Sequence, residues 1–311
     1  MKWSNKRVLL TGGAGFIGSH LLKKLTDLGA DIIVVDDFSI GSKNNIKFFK
    51  GEILMLDVSD SKFVHVMEKY DFDFIFHFGS PSSVILFNKD PECAFRKTVS
   101  GFLNIMELAV KKQVKKIVWP SSGSVYGTAP PPQSENIDVK PVNLYGIAKF
   151  TCEKIAEYYR AKGIKSTGLR IFAGYGPLED HKGEIASPIT IFLKAIIEGR
   201  SPIVFGDGTQ SRDFVYIDDI IEAIIKAAEK ETPPIINVGS GKSYSFNDVI
   251  KLINETLNKN VKPSYIRKPS DYLEKTQADI TLMRNLLGVN PMDLKEGLQR
   301  YINALKSTTK I

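Results

Sequence analysis

Tyr145-Gly146-Ile147-Ala148-Lys149 places a phenol and an ammonium four residues apart, which stacks them on one face of a helix. A lysine beside a phenol favours the phenolate and lowers the tyrosine pKa. Such a group can take the proton from an alcohol. Tyr158 and Lys162 repeat the spacing toward the helix end, with no companion loop, and are read as structural. Tyr145 has a companion in Ser121-Ser122-Gly123-Ser124-Val125-Tyr126-Gly127, which follows the apolar strand Lys116-Ile117-Val118-Trp119. Alone this segment reads as an ordinary Ser/Gly turn. Beside a phenolate, one of its hydroxyls could hydrogen-bond the reacting oxygen. Pro120, which lacks an N–H, is expected to end the strand before the serines.

A hydride acceptor for such an alcohol is written into the start of the chain. Thr11-Gly12-Gly13-Ala14-Gly15-Phe16-Ile17-Gly18 follows Val8-Leu9-Leu10 and reads as a strand turning tightly into a helix. Gly12 and Gly13 allow the turn, Gly15 lets a dinucleotide pyrophosphate approach the helix start, and Gly18 lets the helix pack on the strand. The next apolar strand, Ile32-Ile33-Val34-Val35, ends in Asp36, roughly 20 residues on. An acid there binds the adenosine ribose hydroxyls and repels a 2′-phosphate, so NAD is expected over NADP. Asp37 strengthens that preference. A cationic nicotinamide ring would add to Lys149 in stabilising the Tyr145 phenolate.

The elements that must position these groups alternate along the chain. Strands are expected at 52–57, 73–78, 115–119 and 165–172, with helices near 60–70, 91–112 and 143–162. This rhythm specifies an α/β fold, a Rossmann-type doubly wound parallel sheet with helices on both faces. The loops after Leu10, Val35, Leu56, Phe78, Trp119 and Phe172 then share one rim, beyond the carboxyl ends of the strands. Past Phe172 the rhythm breaks at Gly174, Gly176 and Pro177, and helices are expected near 188–199, 217–230, 246–258, 279–287 and 293–305, with a strand near 235–238. Residues 1–172 plus 213–239 are read as the NAD-binding domain, and 173–212 plus 240–311 as a smaller C-terminal α/β cap.

The 311 residues have ordinary globular composition and no apolar run near the ~18 residues of a membrane span. The first strand starts so early that no signal peptide is expected. The net charge is +7, and its densest basic cluster, Lys111, Lys112, Lys115 and Lys116, falls at a helix end, where cations complement the dipole, with no nucleic-acid module beside it. No nucleic-acid or membrane partner is therefore expected. Cys93 and Cys152 make no disulfide framework, and His65 and His181 have no ligand-like partners, so a reduced, cytoplasmic setting without a metal site is expected. His77 is read as packing or loop support, Asp218-Asp219 as a helix start, and Pro130-Pro131-Pro132 as a rigid surface loop.

Phe205-Gly206-Asp207-Gly208-Thr209-Gln210-Ser211-Arg212-Asp213-Phe214-Val215-Tyr216 and Asn237-Val238-Gly239-Ser240-Gly241 extend the pattern over nearly the whole chain. With the earlier motifs, they make it resemble the extended short-chain dehydrogenase/reductases of the nucleotide-sugar epimerase and dehydratase family, most closely the UDP-glucose 4-epimerases. By that resemblance Ser122 is the catalytic hydroxyl, Tyr145 the base, and Lys149 its pKa partner and ribose ligand. The resemblance also puts Phe16, Ile17, Phe38, Gly41, Asp57, Val58, Phe78, Gly79, Ser80 and Phe172 with the cofactor. It puts Ser82, Ala173, Phe205, Gln210, Arg212 and Lys268 with the substrate, Arg212 on a phosphate. Helices near 91–112 and 143–162 would pair across a two-fold axis in a homodimer.

Dehydratases of this family carry an Asp-Glu pair after the catalytic hydroxyl residue, and decarboxylases a Glu at the second position. Here Gly123 and Ser124 stand there. Elimination and decarboxylation lose an expected participant, whereas 4-epimerisation needs only oxidation and re-reduction. The implied reaction is NAD-dependent 4-epimerisation of a nucleotide sugar, UDP-glucose/UDP-galactose foremost, through a 4-keto sugar. UDP-N-acetylhexosamine or UDP-glucuronate epimerisation is the alternative, and a non-catalytic NAD-binding regulator is a rival of another class. Four positions depart from the family pattern near the expected pocket: Thr98 and Ala173 each replace an Asn, Lys268, beside Arg267, replaces the Arg of an Arg-Pro-Gly-Asp motif, and Pro120 stands before the serines. Thr276 falls near a position that limits sugar bulk, where a small side chain leaves room for an N-acetyl group.

Overall fold

The computed structural model describes residues 1–268 and 272–308. Its main sheet uses β1 (Arg7–Thr11), β2 (Asp31–Val35), β3 (Glu52–Leu54), β4 (Phe74–His77), β5 (Lys116–Ser122), β6 (Ser166–Ile171) and β7 (Ile235–Val238). All neighbours run parallel, in the order β7-β6-β5-β4-β1-β2-β3. The strands are apolar runs because both faces are covered. Along them the pleat alternates between two cores. Val8, Leu10, Phe74, Phe76 and Val118 face one core, with α1 (Phe16–Asp27) and α7 (Ile217–Glu229). Leu9, Ile75, Ile117 and Trp119 face the other, with α4 (Pro91–Lys112) and α5 (Leu144–Ala161). The strand order reverses between β1 and β4, which opens a crevice at their carboxyl ends.

Several boundaries differ from expectation for local reasons. β3 stops at Leu54 instead of residue 57, and the Asp57 carboxylate then accepts from Ser59 N and Oγ (2.8 and 2.7 Å) in a turn. The helix near 60–70 shortens to α2 (Phe63–Met67). An additional helix, α3 (Val84–Lys89), starts on a Ser83 cap. Pro120 does not end β5. Pairing with β4 stops at Val118, so no strand lies on that side of Pro120 to miss its N–H, and the strand runs on to Ser122 beside β6. The expected helix at 279–287 is a π-turn over Met283–Leu287.

Past β6 the chain adds α6 (Pro188–Ile197), α8 (Phe246–Leu257), α9 (Leu294–Thr308) and three two-stranded sheets. Ala173–Tyr175 pairs with Phe214–Tyr216, Ser211–Arg212 with Tyr244–Ser245, and Ile203–Phe205 with Ser264–Ile266. One buried carboxylate fastens these pieces. Asp213 accepts from the backbone N–H of Ser240 (2.6 Å), Gly241 (3.0 Å) and Ala278 (2.9 Å), and from Ser240 Oγ (2.7 Å). Four donors offset part of its desolvation, and burial still raises its pKa.

Candidate functional site

A cavity of about 530 Å3 runs along the carboxyl ends of the strands and under the segments that follow β6. At one wall, Gly12 takes φ +71°, and a Cβ there would lie 2.4 Å from the Phe78 carbonyl carbon. A Cβ on Gly18 would lie 1.9 Å from Gly12 O, so only glycine lets α1 sit this close to the turn. Gly15 caps α1 without a side-chain bond, and the first turn holds no acid. The space beside Gly15 is open apart from Gly12 O at 3.4 Å. Exposed helix N–H groups, a positive dipole end and a bare backbone fit a dinucleotide pyrophosphate.

At the adenosine end, Asp36 already accepts from Ala14 N and Phe38 N, each at 2.8 Å, while burial raises its pKa. Lys97 reaches in from α4 to bind Asp37 and Asp57, the latter at 3.4 Å. Burial pushes Asp37 up, but Lys97 and Ser39 outweigh it and hold the carboxyl below its usual range. The charge of Asp37 is thus largely answered within the protein. Lys97 was missed in the sequence because its partners lie on two other loops. Val58, Phe78, Gly79, Ser80, Gly41, Ile17 and Phe172 also line the cavity. Phe38 does not; its ring packs beneath Lys43 (5.2 Å).

In the middle of the cleft, Asn143 caps α5 through Gly146 N (2.9 Å) and sets where Tyr145 begins the helix. Burial raises the Tyr145 pKa, and the neighbouring Ser122 hydroxyl, on the same cavity wall, lowers it. Ser122 Oγ accepts from Ser124 N at 3.1 Å. Lys149 lies with its Nζ 5.9 Å from the centroid of the Tyr145 ring, and its hydrogen bonds go to other groups. Its Nζ donates to Ser80 Oγ and Pro120 O, each at 3.0 Å, and burial draws its own pKa down to about 8. His77 is a support: Nδ1 bonds Thr11 Oγ1 (2.8 Å), which also accepts from Gly79 N (3.2 Å), and burial lowers the imidazole to about 3. Behind the site, Glu153 and Arg170 form a buried pair at 2.8 Å that sequence reading passed over, although Glu153 sits on the helix face of Tyr145 and Lys149.

Arg212 lines the far end, with its guanidinium over the rings of Tyr272 (5.1 Å) and Phe246 (5.6 Å). Among the described residues no carboxylate forms an ion pair with it, and burial lowers its pKa, so an anion would find a half-desolvated cation waiting. Ser82, Ala173 and Thr276 line the cleft as well. Phe205, Gln210 and Lys268 do not. Gln210 is buried and donates to Phe205 O, Phe205 packs at a tilt against Tyr272 (5.6 Å between ring centroids), and Lys268 pairs with Glu274. Pro269, Ser270 and Asp271 of the Lys268 motif lie outside the described residues. Thr98 is buried in α4, where its hydroxyl back-bonds to Ala94 O (2.8 Å), and it stands outside the cavity wall.

The loop over 178–187 adds residues that no motif announced. Glu179, fully buried, accepts from Lys182 (2.5 Å) and Thr190 Oγ1 (2.6 Å), and it brings His181 and Lys182 to the cavity beside α1. Among the described residues no group of three metal-ligating side chains occurs, and no helix is long and apolar enough to cross a membrane.

The same arrangement recurs in known proteins. The chain is 34% identical over 306 residues to a putative UDP-glucose 4-epimerase of Methanocaldococcus jannaschii, covering 97% of this chain and 99% of that one. A Thermotoga maritima UDP-glucose 4-epimerase solved with UDP-glucose superposes with a TM-score of 0.92 at 32% identity, covering 97% and 99% of the two chains. A UDP-N-acetylglucosamine 4-epimerase of Methanobrevibacter ruminantium superposes at 0.91 with 28% identity, over 98% and 100%. The model of the NAD dependent epimerase/dehydratase family matches residues 8–239, and with the glycine turn, the Ser122–Tyr145 contact and the buried Lys149 on one rim, the chain belongs to that family and uses NAD.

Proposed function

We propose that this enzyme inverts C4 of a nucleotide sugar, with UDP-glucose and UDP-galactose as its pair. The observation that carries the reading is Ser122 beside Tyr145 in a wall where, among the described residues, no carboxylate adjoins them. The acids lining the cleft are Asp36, Asp37 and Asp57 at the adenosine end and Glu184 on the loop over 178–187. An elimination needs an acid and a base beside the sugar ring, whereas an alcohol oxidation needs one base.

Tyr145 Oη takes the proton of the sugar 4-hydroxyl, and Ser122 Oγ orients that hydroxyl and stabilises the phenolate by donating to it. NAD held along the glycine turn would supply the hydride acceptor and donor, and its cationic ring would add positive charge that lowers the pKa of the buried Tyr145 phenol. Lys149, tied to Ser80 and Pro120 O, holds the cofactor-side wall and is the ribose ligand. Arg212 anchors the diphosphate while the sugar turns to present its other face. Tyr145→Phe tests the assignment: turnover close to wild type in a folded, NAD-loaded variant would remove Tyr145 from the chemistry. A panel of UDP-, dTDP- and GDP-sugars read by NMR tests the substrate.

Thr276, small and at the cleft wall, supports a second reading in which UDP-N-acetylglucosamine is also accepted. A strong preference for UDP-glucose over it in parallel assays would remove that reading. We further propose a homodimer through α4 and α5, on which Leu103 (38%), Val110 (43%), Leu144 (43%) and Ile147 (39%) stay exposed. Light scattering at the monomer mass would refute it. The free Cys93 and Cys152 fit a reduced, cytoplasmic setting.

A further inference from the structure

The helix face that carries Tyr145 and Lys149 continues one turn further to Glu153. Its carboxylate is buried, and so is its partner Arg170. Arg170 Nε donates to Oε1 at 2.9 Å and Nη2 to Oε2 at 2.8 Å, a two-pronged fork. The same Oε1 accepts from Ser121 Oγ at 2.5 Å. Arg170 also lies over the Tyr126 ring at 4.7 Å, and Tyr126 Oη donates to Asn237 Oδ1 at 2.7 Å. One ion pair therefore ties α5 to β5 at Ser121, the neighbour of Ser122, to β6 at Arg170, and through Tyr126 to the turn that follows Ser122.

Stability alone is a poor reason for this pair. Desolvating two charges offsets most of their attraction, and apolar side chains of equal volume often hold a core as well. Apolar packing lacks direction, however, whereas the fork and the Ser121 bond allow only one rotation and one height of α5 over β5. That register decides whether the Tyr145 phenol meets the Ser122 hydroxyl. We propose that Glu153, held by Arg170, is a positioning residue that sets the Tyr145–Ser122 contact through Ser121. This rests on the catalytic roles assigned above to Ser122 and Tyr145, but it is separable from them by experiment.

Two variants test it: Ser121→Ala, which leaves the ion pair intact, and Glu153→Gln, which breaks the fork's charge. In the NAD-loaded protein, a misplacement on the order of 1 Å lowers rate by up to about 100-fold. The expected result is a fall in kcat of about tenfold for S121A and up to about 100-fold for E153Q, with KM within about twofold and NAD content unchanged. Ser121→Thr should restore kcat. If E153Q fails to fold, S121A and its threonine rescue carry the test.

A readout independent of turnover is the Tyr145 phenol titration, taken by ultraviolet difference against Tyr145→Phe. The neighbouring Ser122 hydroxyl lowers that pKa, so moving it away raises the pKa. Simple loss of the Glu153 negative charge would lower it. The ionisable groups facing Glu153 are Arg170 and Cys152, with Lys149 one turn away and Tyr126 behind Arg170. An upward shift in both variants supports the proposal. No shift, a downward shift, or kcat within twofold of wild type per NAD-loaded molecule overturns it. Absence of epimerisation in the wild type would sink the functional reading and leave the titration to decide the positioning role.

Discussion

Replacing Gly15 and Gly18 separately by alanine should divide cofactor binding from folding, although the two glycines stand three positions apart. At Gly18 a Cβ would meet Gly12 O at 1.9 Å, Gly12 C at 2.8 Å and Gly13 Cα at 3.0 Å, all backbone in a tight turn. An ordinary contact needs 3.4 Å or more, so α1 or the turn must shift by about 1.5 Å. Overpacking on that scale costs about 3 kcal/mol, a fall of roughly 6 °C in Tm for a chain of this size. Gly15 is different. Its φ of −74° and ψ of 178° suit alanine, and its Cβ has open space. Alanine is a poorer N-cap than glycine, but it lowers the unfolded-state entropy, and the two effects nearly cancel, within about 1 kcal/mol. The methyl nevertheless occupies the approach of the pyrophosphate to the helix N–H groups. We expect at least about 100-fold weaker NAD binding, or about 2.7 kcal/mol. Scanning calorimetry of the cofactor-free variants and titration calorimetry with NAD separate the two effects. A Gly15→Ala variant that binds NAD within threefold of wild type, or a Gly18→Ala variant with wild-type Tm, would refute the reasoning.

Tyr145→Phe should lower kcat by about 1,000-fold while NAD content and Tm hold, because a positioned base contributes about 100- to 10,000-fold. Asp37→Asn should leave Lys97 paired with Asp57 alone and more available to a 2′-phosphate, shifting the NADP/NAD affinity ratio about tenfold toward NADP, and adding Lys97→Met should abolish the gain; fluorescence titration measures both. Burial draws both Lys149 and Lys116 down to about 8 from 10.5. Both lysines then bind fewer protons folded than unfolded between those values, so the cofactor-free protein should gain stability as pH rises from about 8 toward 10.5. Urea unfolding at several pH values should show a positive slope that Lys149→Met and Lys116→Met each reduce, and a slope unchanged in both would contradict the burial argument.

The features legible along the chain are those that near neighbours determine. Glycine conformation at Gly12 and close approach at Gly18 follow from a turn of a few residues. The alternation of Val8, Leu9 and Leu10 between two cores follows from the strand pleat, and the stacking of Tyr145 on Lys149 from helix pitch. The doubly wound order follows from repeating these short patterns under the right-handed crossover rule. What the chain did not disclose involves partners far apart in sequence. Pro120 stays within a strand because β4 stops pairing at Val118. Lys97 answers Asp37 and Asp57 from another helix, Asp213 gathers donors from Ser240, Gly241 and Ala278, and Arg170 locks Glu153. Phe205, Gln210 and Lys268, which a motif placed at the substrate, turn to each other's neighbourhood and to Glu274 instead of the cleft. The tyrosine shows the division most directly. Helix spacing put a lysine beside the phenol, but the pKa depends on which atoms surround each group in space. There the ammonium stays 5.9 Å from the tyrosine ring but gives its hydrogen bonds to Ser80 and Pro120, while burial raises the phenol's pKa and the neighbouring Ser122 lowers it.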